Sequence, residues 1–134
     1  MDSNNFLLKR YLPRIEFDGY ADFKENYKVN VPNDFNFGYD IIDEWGKNFP
    51  DKKALYYTND HGVLREYTFT ELSELSNKAA NALRAEGIQK GDTVLMILKQ
   101  RAEVWVTFIA LHKLGAIIIP ATFQLTPKDI VYRC

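Results

Sequence analysis

The chain has 134 residues, enough for one domain with a buried core, and 46% of them are hydrophobic. A charged fraction of 26% and a formal net charge of −1 are typical of a soluble globular protein and give no sign of a nucleic-acid-binding surface. The single cysteine, Cys134, excludes an intrachain disulfide. His112, Lys113 and Gly115 interrupt the longest near-apolar window, 104–121, so no membrane span is predicted. A cytoplasmic protein without nucleic-acid partners is expected.

The first 35 residues contain irregularly spaced aromatic side chains and many charges, and we expect them to form an N-terminal extension packed on the surface of the domain. Tyr20, Phe23 and Tyr27 follow a spacing of i, i+3, i+7, which predicts a short amphipathic helix. Asp18 is the predicted N-cap of that helix.

A second helix is predicted over 38–48, with Asn36 as its cap. Two short runs, 54–58 and 63–67, flank a four-residue turn that ends in glycine, a pattern typical of a β-hairpin. His61 lies at the tip of this turn. No nucleophile is near it in sequence, so a turn residue is favoured over a general base.

The clearest helix signal covers residues 69–86. Thr68 and Glu71 have the spacing of a capping box, in which each side chain bonds the backbone N–H of the other residue. Gly87 is the predicted left-handed C-cap. The predicted buried stripe consists of Leu72, Leu75, Ala79, Ala82 and Leu83.

A strand, a buried helix and a second strand are predicted over 94–98, 104–114 and 117–119, with Gly115 ending the helix. The length fits a βαβ unit, and the continuous apolar runs predict a parallel sheet covered on both faces. A right-handed crossover places both strand ends at one edge, where open α/β sheets bind ligands. The loop 121–125 leaves from that edge.

Inside this unit, Trp105, Phe108 and either Leu111 or His112 are predicted to lie along one buried side of the helix. His112 is near the helix C-terminus, where the helix dipole favours an imidazolium, and we interpret it as structural. A further helix is predicted to start at Thr126, and the chain stops soon afterwards, so we expect the front part of a longer protein.

No motif that could carry a reaction is present. The seven glycines form no phosphate-binding loop, the two histidines and one cysteine have no metal-ligand spacing, and no nucleophile elbow occurs. Taken by themselves the residues predict an α/β piece with no catalytic residue and no metal site.

Two stretches resemble a known superfamily. Residues 67–98, YTFTELSELSNKAANALRAEGIQKGDTVLMIL, resemble the first motif region of the adenylate-forming (AMP-binding) enzymes, and residues 111–133, LHKLGAIIIPATFQLTPKDIVYR, resemble the second. The form I-P-x-T-x-Q-L-T-x-K-D-I-x-Y-R, together with FNFGYDIIDEW at 35–45, is similar to the medium-chain acyl-CoA synthetases, also called butyrate–CoA ligases. The resemblance therefore implies that residues 36–134 are the first part of the large AMP-binding domain.

The resemblance implies a ligase that activates a short- or medium-chain carboxylic acid with ATP and Mg²⁺ and transfers the acyl group to coenzyme A. In that family the main ATP-binding and catalytic groups lie beyond residue 134, so this chain alone is expected to be inactive and, lacking cover for its βαβ unit, to self-associate. Gln124 is the one position carried over, as a coenzyme A-binding residue. A solvent-facing loop glutamine, another adenylate-forming enzyme, and a stand-alone interaction module with this fold stay open as alternatives.

Overall fold

A computed structural model describes residues 7–133, and the chain divides into two compact units, Met1–Phe35 and Asn36–Cys134. Cys134 lies outside the described residues. The elements follow in the order α1 (Leu8–Tyr11), α2 (Tyr20–Asn26), a π-helical segment (Gly38–Asp43) that continues into α3 (Glu44–Asn48), β1 (Lys53–Thr58), β2 (Leu64–Thr68), α4 (Phe69–Ala85), β3 (Thr93–Ile97), α5 (Ala102–Leu114), β4 (Ile117–Ala121) and α6 (Pro127–Arg133).

In the first unit, α2 forms where the aromatic spacing predicts it, but the predicted cap is wrong. The N-cap is Gly19, and no side chain caps the helix. Asp22, in the first turn, instead accepts the backbone N–H of Asp18 at 2.9 Å, which is the main reason that its pKa lies below the usual value. Arg14 binds both oxygens of the same carboxylate, at 2.8 and 2.6 Å. The carboxylate that binds the residues before α2 therefore belongs to Asp22, inside the helix, and not to the predicted cap Asp18.

The second unit contains the predicted hairpin. β1 and β2 pair antiparallel, with Tyr57 opposite Arg65. Asn59 closes the turn, because its side-chain oxygen accepts the backbone N–H groups of His61 and Val63 at 3.0 and 3.1 Å. Such side-chain-to-backbone bonds are the reason that asparagine is favoured in turns.

Helix α4 begins at the predicted capping box. The Thr68 hydroxyl accepts the Glu71 N–H at 3.1 Å, and the Glu71 carboxylate accepts the Thr68 N–H at 2.7 Å. The predicted stripe is wrong at Ala82, which is exposed, whereas Ser76 is fully buried. Its hydroxyl donates to the Ser73 carbonyl at 2.9 Å, and this bond makes a buried serine acceptable.

The segment before the hairpin is helical as predicted, but its first turn is wider than an α-helix. The N-cap residue is Phe37, and the side-chain oxygen of Asn36, one residue earlier, accepts the Gly38 N–H at 2.9 Å. A Cβ built on Gly38 would lie 2.4 Å from Cγ of Lys113. Glycine at this position therefore allows the π-helical turn and α5 to approach closely.

The fold class is the predicted one. β3 and β4 pair in parallel, with Thr93 opposite Ile117 and Ile97 opposite Ala121, and α5 connects them. Gly115 ends α5 in the left-handed conformation, with φ of +71°. The core of the unit consists of Ile42, Leu72 and Ile109, with Ala54, Leu55, Tyr67, Phe69 and Val106 packed against it.

Two burial predictions are wrong. Trp105, on α5, and Ile117, on β4, are each 56% exposed, so the βαβ unit is not covered on both faces. Leu111 is fully buried as predicted. Apolar runs identify residues that favour burial, but only packing against a neighbouring element removes their surface from water. Among residues 7–133, every helix is too short or too polar to cross a bilayer.

Candidate ligand edge of the parallel sheet

The candidate site lies at the carboxyl edge of the β3–β4 sheet. Because the strands are parallel, Ile97 and Ala121 end side by side, and both following loops leave from the same edge. These loops border a cleft of about 550 Å³. The cleft is lined by Leu98, Lys99, Gln100, Pro120, Ala121, Thr122 and Phe123.

Gln124 follows this cleft in an exposed turn. Its backbone N–H donates to the Thr122 hydroxyl at 3.3 Å, and Leu125 N–H donates to the Thr122 carbonyl at 3.3 Å. The Gln124 side chain makes no hydrogen bond with any described residue, and it adjoins the cleft without lining it. Gln124 thus lies beside the candidate edge, and its side-chain amide group makes no hydrogen bond among the described residues.

Lys99 and Phe123 are the two residues of this edge that sequence reasoning missed. The Lys99 ammonium lies 5.2 Å from the centre of the Phe123 ring, a cation–π contact that joins the loop after β3 to the loop after β4. Phe123 is 57% exposed, and Lys99 is the one charged residue that lines the cleft. A lysine two residues after β3 and an aromatic residue two residues after β4 were the available signals in the sequence.

The loop at this edge is fixed at its far end by the start of α6. The Thr126 hydroxyl and backbone N–H donate to the Asp129 carboxylate at 2.7 and 3.0 Å. The hydroxyl bond, followed by the backbone bond, lowers the pKa of Asp129 below its usual value. The turn that contains Gln124 therefore connects the end of β4 to the capped start of α6.

The two histidines do not join this edge. His61 is exposed at the hairpin tip, and its backbone N–H binds the side chain of Asn59. The ring of His112 lies 5.7 Å from that of Phe37 and 6.3 Å from that of Phe108, at the border of an apolar cavity of about 580 Å³. Among the described residues, no three His, Cys, Asp or Glu side chains are grouped as a metal site would require.

Sequence reasoning also missed a buried charge. The Lys113 side chain is 1% exposed, and its ammonium donates to Asp43 at 2.6 Å, to Asn77 at 2.7 Å and to the Ser73 carbonyl at 3.4 Å. The Tyr39 ring lies 5.5 Å away. All three donors of the ammonium are used inside the protein, so Lys113 joins α5 to α4 and to the π-helical segment and has no free donor for a ligand.

Comparison with known proteins identifies the family. The sequence model described as AMP-binding enzyme matches residues 42–134. "Acyl-coenzyme A synthetase ACSM3, mitochondrial" of Homo sapiens is 39% identical over 124 residues, which cover 87% of this chain and 21% of that protein. The Rattus norvegicus protein of the same name is 36% identical over 141 residues, covering 98% of this chain and 24% of that protein. The chain thus spans about a fifth to a quarter of these relatives.

Solved structures agree with the fold. The Klebsiella oxytoca NpsA N-terminal subdomain in complex with anthranilyl-AMSN has a TM-score of 0.60 at 32% identity and covers 69% of this chain and 23% of that one. Mycobacterium tuberculosis fatty acyl CoA synthetase has a TM-score of 0.62 at 27% identity and covers 73% of this chain and 19% of that one. The predicted resemblance to the adenylate-forming enzymes, and to their acyl-CoA synthetase branch, is confirmed.

The predicted cytoplasmic location is wrong. The relatives that share 36–39% identity with the chain are named as mitochondrial proteins. The single cysteine indicates only a reducing compartment, and the net charge near zero indicates only a protein in contact with water. Neither property distinguishes one reducing aqueous compartment from another.

Proposed function

Given that this chain belongs to the AMP-binding enzyme family, we propose that it forms the first part of the large domain of an AMP-forming acyl-CoA synthetase. The complete enzyme joins a short- or medium-chain carboxylic acid to ATP, giving an acyl-adenylate and pyrophosphate. The thiol of coenzyme A then attacks the adenylate carbonyl and releases AMP. The names of the relatives support the acyl-CoA synthetase over a stand-alone interaction module.

The observation that carries the assignment is the position of Gln124. It lies on the loop after β4, at the carboxyl edge of two parallel strands, with an exposed amide that has no partner among residues 7–133. Ligands of open α/β sheets bind at this edge. In the proposed enzyme the Gln124 amide bonds the pantetheine or adenine portion of coenzyme A.

The neighbouring side chains fit the same ligand. Phe123 is 57% exposed, and an exposed aromatic ring can stack with an adenine. The Lys99 ammonium has no carboxylate partner among the described residues and can bind a phosphate group while it stays in contact with the ring. When bound, coenzyme A supplies the thiol, and these residues only hold and orient its nucleotide end.

No described residue is assigned to Mg²⁺ or to the ATP phosphates. The carboxylates of residues 7–133 form no group of three that could hold a cation. Use of ATP and Mg²⁺ therefore stays a prediction for the complete enzyme, implied by family membership. The 134-residue chain alone is proposed to be inactive, because the resemblance implies that the main ATP-binding and catalytic groups lie beyond residue 134.

Titration with coenzyme A, followed by backbone amide NMR of the 134-residue chain, tests the Gln124 assignment. Saturable shifts are expected at residues 99 and 122–124. Gln124→Ala should weaken binding by about fivefold, the effect of one hydrogen bond of about 1 kcal/mol. Gln89→Ala is the matched control, because Gln89 is also exposed but precedes β3, at the opposite end of the strand. Equal affinities of Gln124→Ala and the unmodified chain would leave Gln124 as a solvent-facing residue.

ATP–pyrophosphate exchange with butyrate tests the proposed division of labour. The 134-residue chain should give no exchange above a blank without protein, whereas the complete enzyme should give exchange under the same conditions. Clear turnover by the 134-residue chain would contradict the proposal.

We also propose that the 134-residue chain self-associates. Trp105 and Ile117 are large apolar residues that are more than half exposed, and such surface favours association. Light scattering should show a mass that rises with concentration. A constant monomer mass at millimolar concentration would contradict this.

A further inference from the structure

A second cleft lies between the hairpin and the start of α5. Its volume is about 320 Å³, and its lining is mostly polar. The lining residues are Tyr57, Asn59, Val63, Arg65, Tyr67, Arg101, Ala102 and Glu103. Two arginines and two tyrosines therefore face a space that would hold a small anion and a few waters.

The hairpin places its share of these residues on one face. Tyr57 and Arg65 are cross-strand partners, and Tyr67 lies two residues further along β2, so all three project to the same side. Arg101 comes from the loop after β3 and is the N-cap residue of α5. The pairing of β1 with β2 and the position of α5 together bring Arg65 and Arg101, which are distant in sequence, to one cleft.

Neither guanidinium has a partner within the described protein. Arg14 binds Asp22, Arg84 binds Asn81, Arg133 binds a backbone carbonyl, and Arg10 lies over the ring of Tyr11. Among residues 7–133, Arg65 and Arg101 are the two arginines whose side chains make no hydrogen bond, ion pair or ring contact. The two unpartnered guanidinium groups line the same cleft.

Arg101 also opposes the local preference of its position. The N-cap of a helix favours serine, threonine, aspartate or asparagine, and the positive end of the helix dipole disfavours a cation. Arg101 offers no side-chain cap to α5. A residue that breaks a local rule without a compensating contact points to a functional role.

We propose that Arg65 and Arg101 form an anion-binding site for a phosphate group, separate from the Gln124 loop. Guanidinium groups bind phosphate through two parallel hydrogen bonds each, and the hydroxyls of Tyr57 and Tyr67, which have no protein partner among the described residues, can donate as well. Glu103 lines the same cleft and repels the anion, so it limits the affinity. The phosphate is either free or part of a larger ligand.

Titration of the 134-residue chain with inorganic phosphate at low ionic strength, followed by backbone amide NMR, tests this site. Saturable shifts are expected at residues 57–67 and 101–103. Arg65→Gln and Arg101→Gln should each weaken binding by about tenfold or more, because each removes a positive charge and a contact of two charge-assisted hydrogen bonds. Arg101→Lys should be intermediate, because lysine keeps the charge and loses the planar fork.

Glu103→Gln provides a test in which the expected result is stronger binding, so a loss of folding cannot produce it. Removing this negative charge should strengthen phosphate binding severalfold, and an unchanged or weaker affinity would overturn the proposal. Arg84→Gln is the matched control, since Arg84 is an exposed arginine on α4 outside the cleft. This variant should bind phosphate with the same affinity as the unmodified chain.

Two further comparisons define the ligand and the location. Acetate should bind more weakly than phosphate, and equal affinity would overturn the phosphate assignment. Lys99→Met and Gln124→Ala should leave the phosphate-induced shifts of residues 57–67 and 101–103 unchanged. A loss of binding in those variants would place the anion at the Gln124 edge and overturn the separate site.

Titration with coenzyme A identifies the source of the phosphate. If coenzyme A shifts the amide signals of residues 57–67, the phosphate is part of that ligand. If only inorganic phosphate shifts them, the ligand is a free anion.

Discussion

The two ends of α5 hold positive charges in opposite ways. Near the C-terminal end, the ammonium of Lys113 is buried and has three oxygen partners, two of them on the side chains of Asp43 and Asn77. At the N-terminal end, Arg101 is exposed, borders a cleft and contacts no partner among residues 7–133.

The difference follows from the free energy of desolvation. A buried charge is tolerated only when neighbouring groups replace its water, so the Lys113 end is a fixed structural joint. An exposed charge keeps its water and can exchange it for a ligand. The structural end and the proposed ligand-binding end of α5 therefore differ in the partners of their cations, and the following variants test that distinction.

Asp43→Asn is expected to have the largest effect. It leaves the Lys113 charge buried without a counterion, and we expect the free energy of unfolding to fall by about 3 kcal/mol, as measured by urea denaturation. At the other end of the helix, Arg101→Gln should change stability by less than about 0.5 kcal/mol. Asp60→Asn, at an exposed hairpin position, is the matched control. Equal effects of Asp43→Asn and Arg101→Gln would contradict the comparison.

Gly38→Ala should destabilise by about 1–3 kcal/mol, because the added Cβ would overlap the Lys113 side chain, which cannot move into solvent. Thermal unfolding provides the measurement. In a Lys113→Met background the same substitution should cost less, since a flexible neutral side chain can shift. An additive double mutant would show that the two positions do not share one packing constraint.

Lys99→Met tests the open edge, where smaller effects are expected. It removes the cation–π contact with Phe123 and should lower stability by about 0.5 kcal/mol, because both side chains are exposed. Coenzyme A binding, measured by the same NMR titration, should weaken more than this small change in stability implies. A loss of stability comparable to that of Asp43→Asn would show that this edge is structural as well.

Acidification should produce the smallest effect, and at the start of α6 it acts through Asp129. The folded-state pKa of Asp129 is lowered by its bonds to Thr126, so the stabilisation is present above the ordinary value of 3.8 and is lost as the pH falls through the folded pKa. The Thr126 amide signal should report this loss below about pH 4. In Asp129→Asn the transition should be absent. A transition that persists in that variant would assign it to another carboxylate.

Much of the fold could be predicted because local rules determine it. The Thr68–Glu71 capping box, the Asn59 turn and the Gly115 helix end each depend on residues within a few positions of one another. The apolar runs of β3 and β4 likewise predicted a parallel pair, and the position of Gln124 at its edge followed from chain direction alone.

The residues that the sequence did not reveal depend on distant partners. Lys113 interrupts an apolar helix, and its role becomes visible only when Asp43, Ser73 and Asn77 are brought around it. Lys99 meets Phe123, and Arg65 shares a cleft with Arg101, through the pairing of strands and the placement of α5. Ser76 is buried four residues after Leu72, on the same face of α4, and a stripe predicted from apolar residues alone does not include it.

By itself the sequence determined the elements of this protein, the parallel direction of its βαβ unit and its family, because these follow from short-range periodicity, caps and motifs. Only the tertiary structure decided which charged residues are buried and paired and which remain free beside a cleft. The physical reason is that the free energy of a charged group depends on all the groups and water around it, and those neighbours come from every part of the chain.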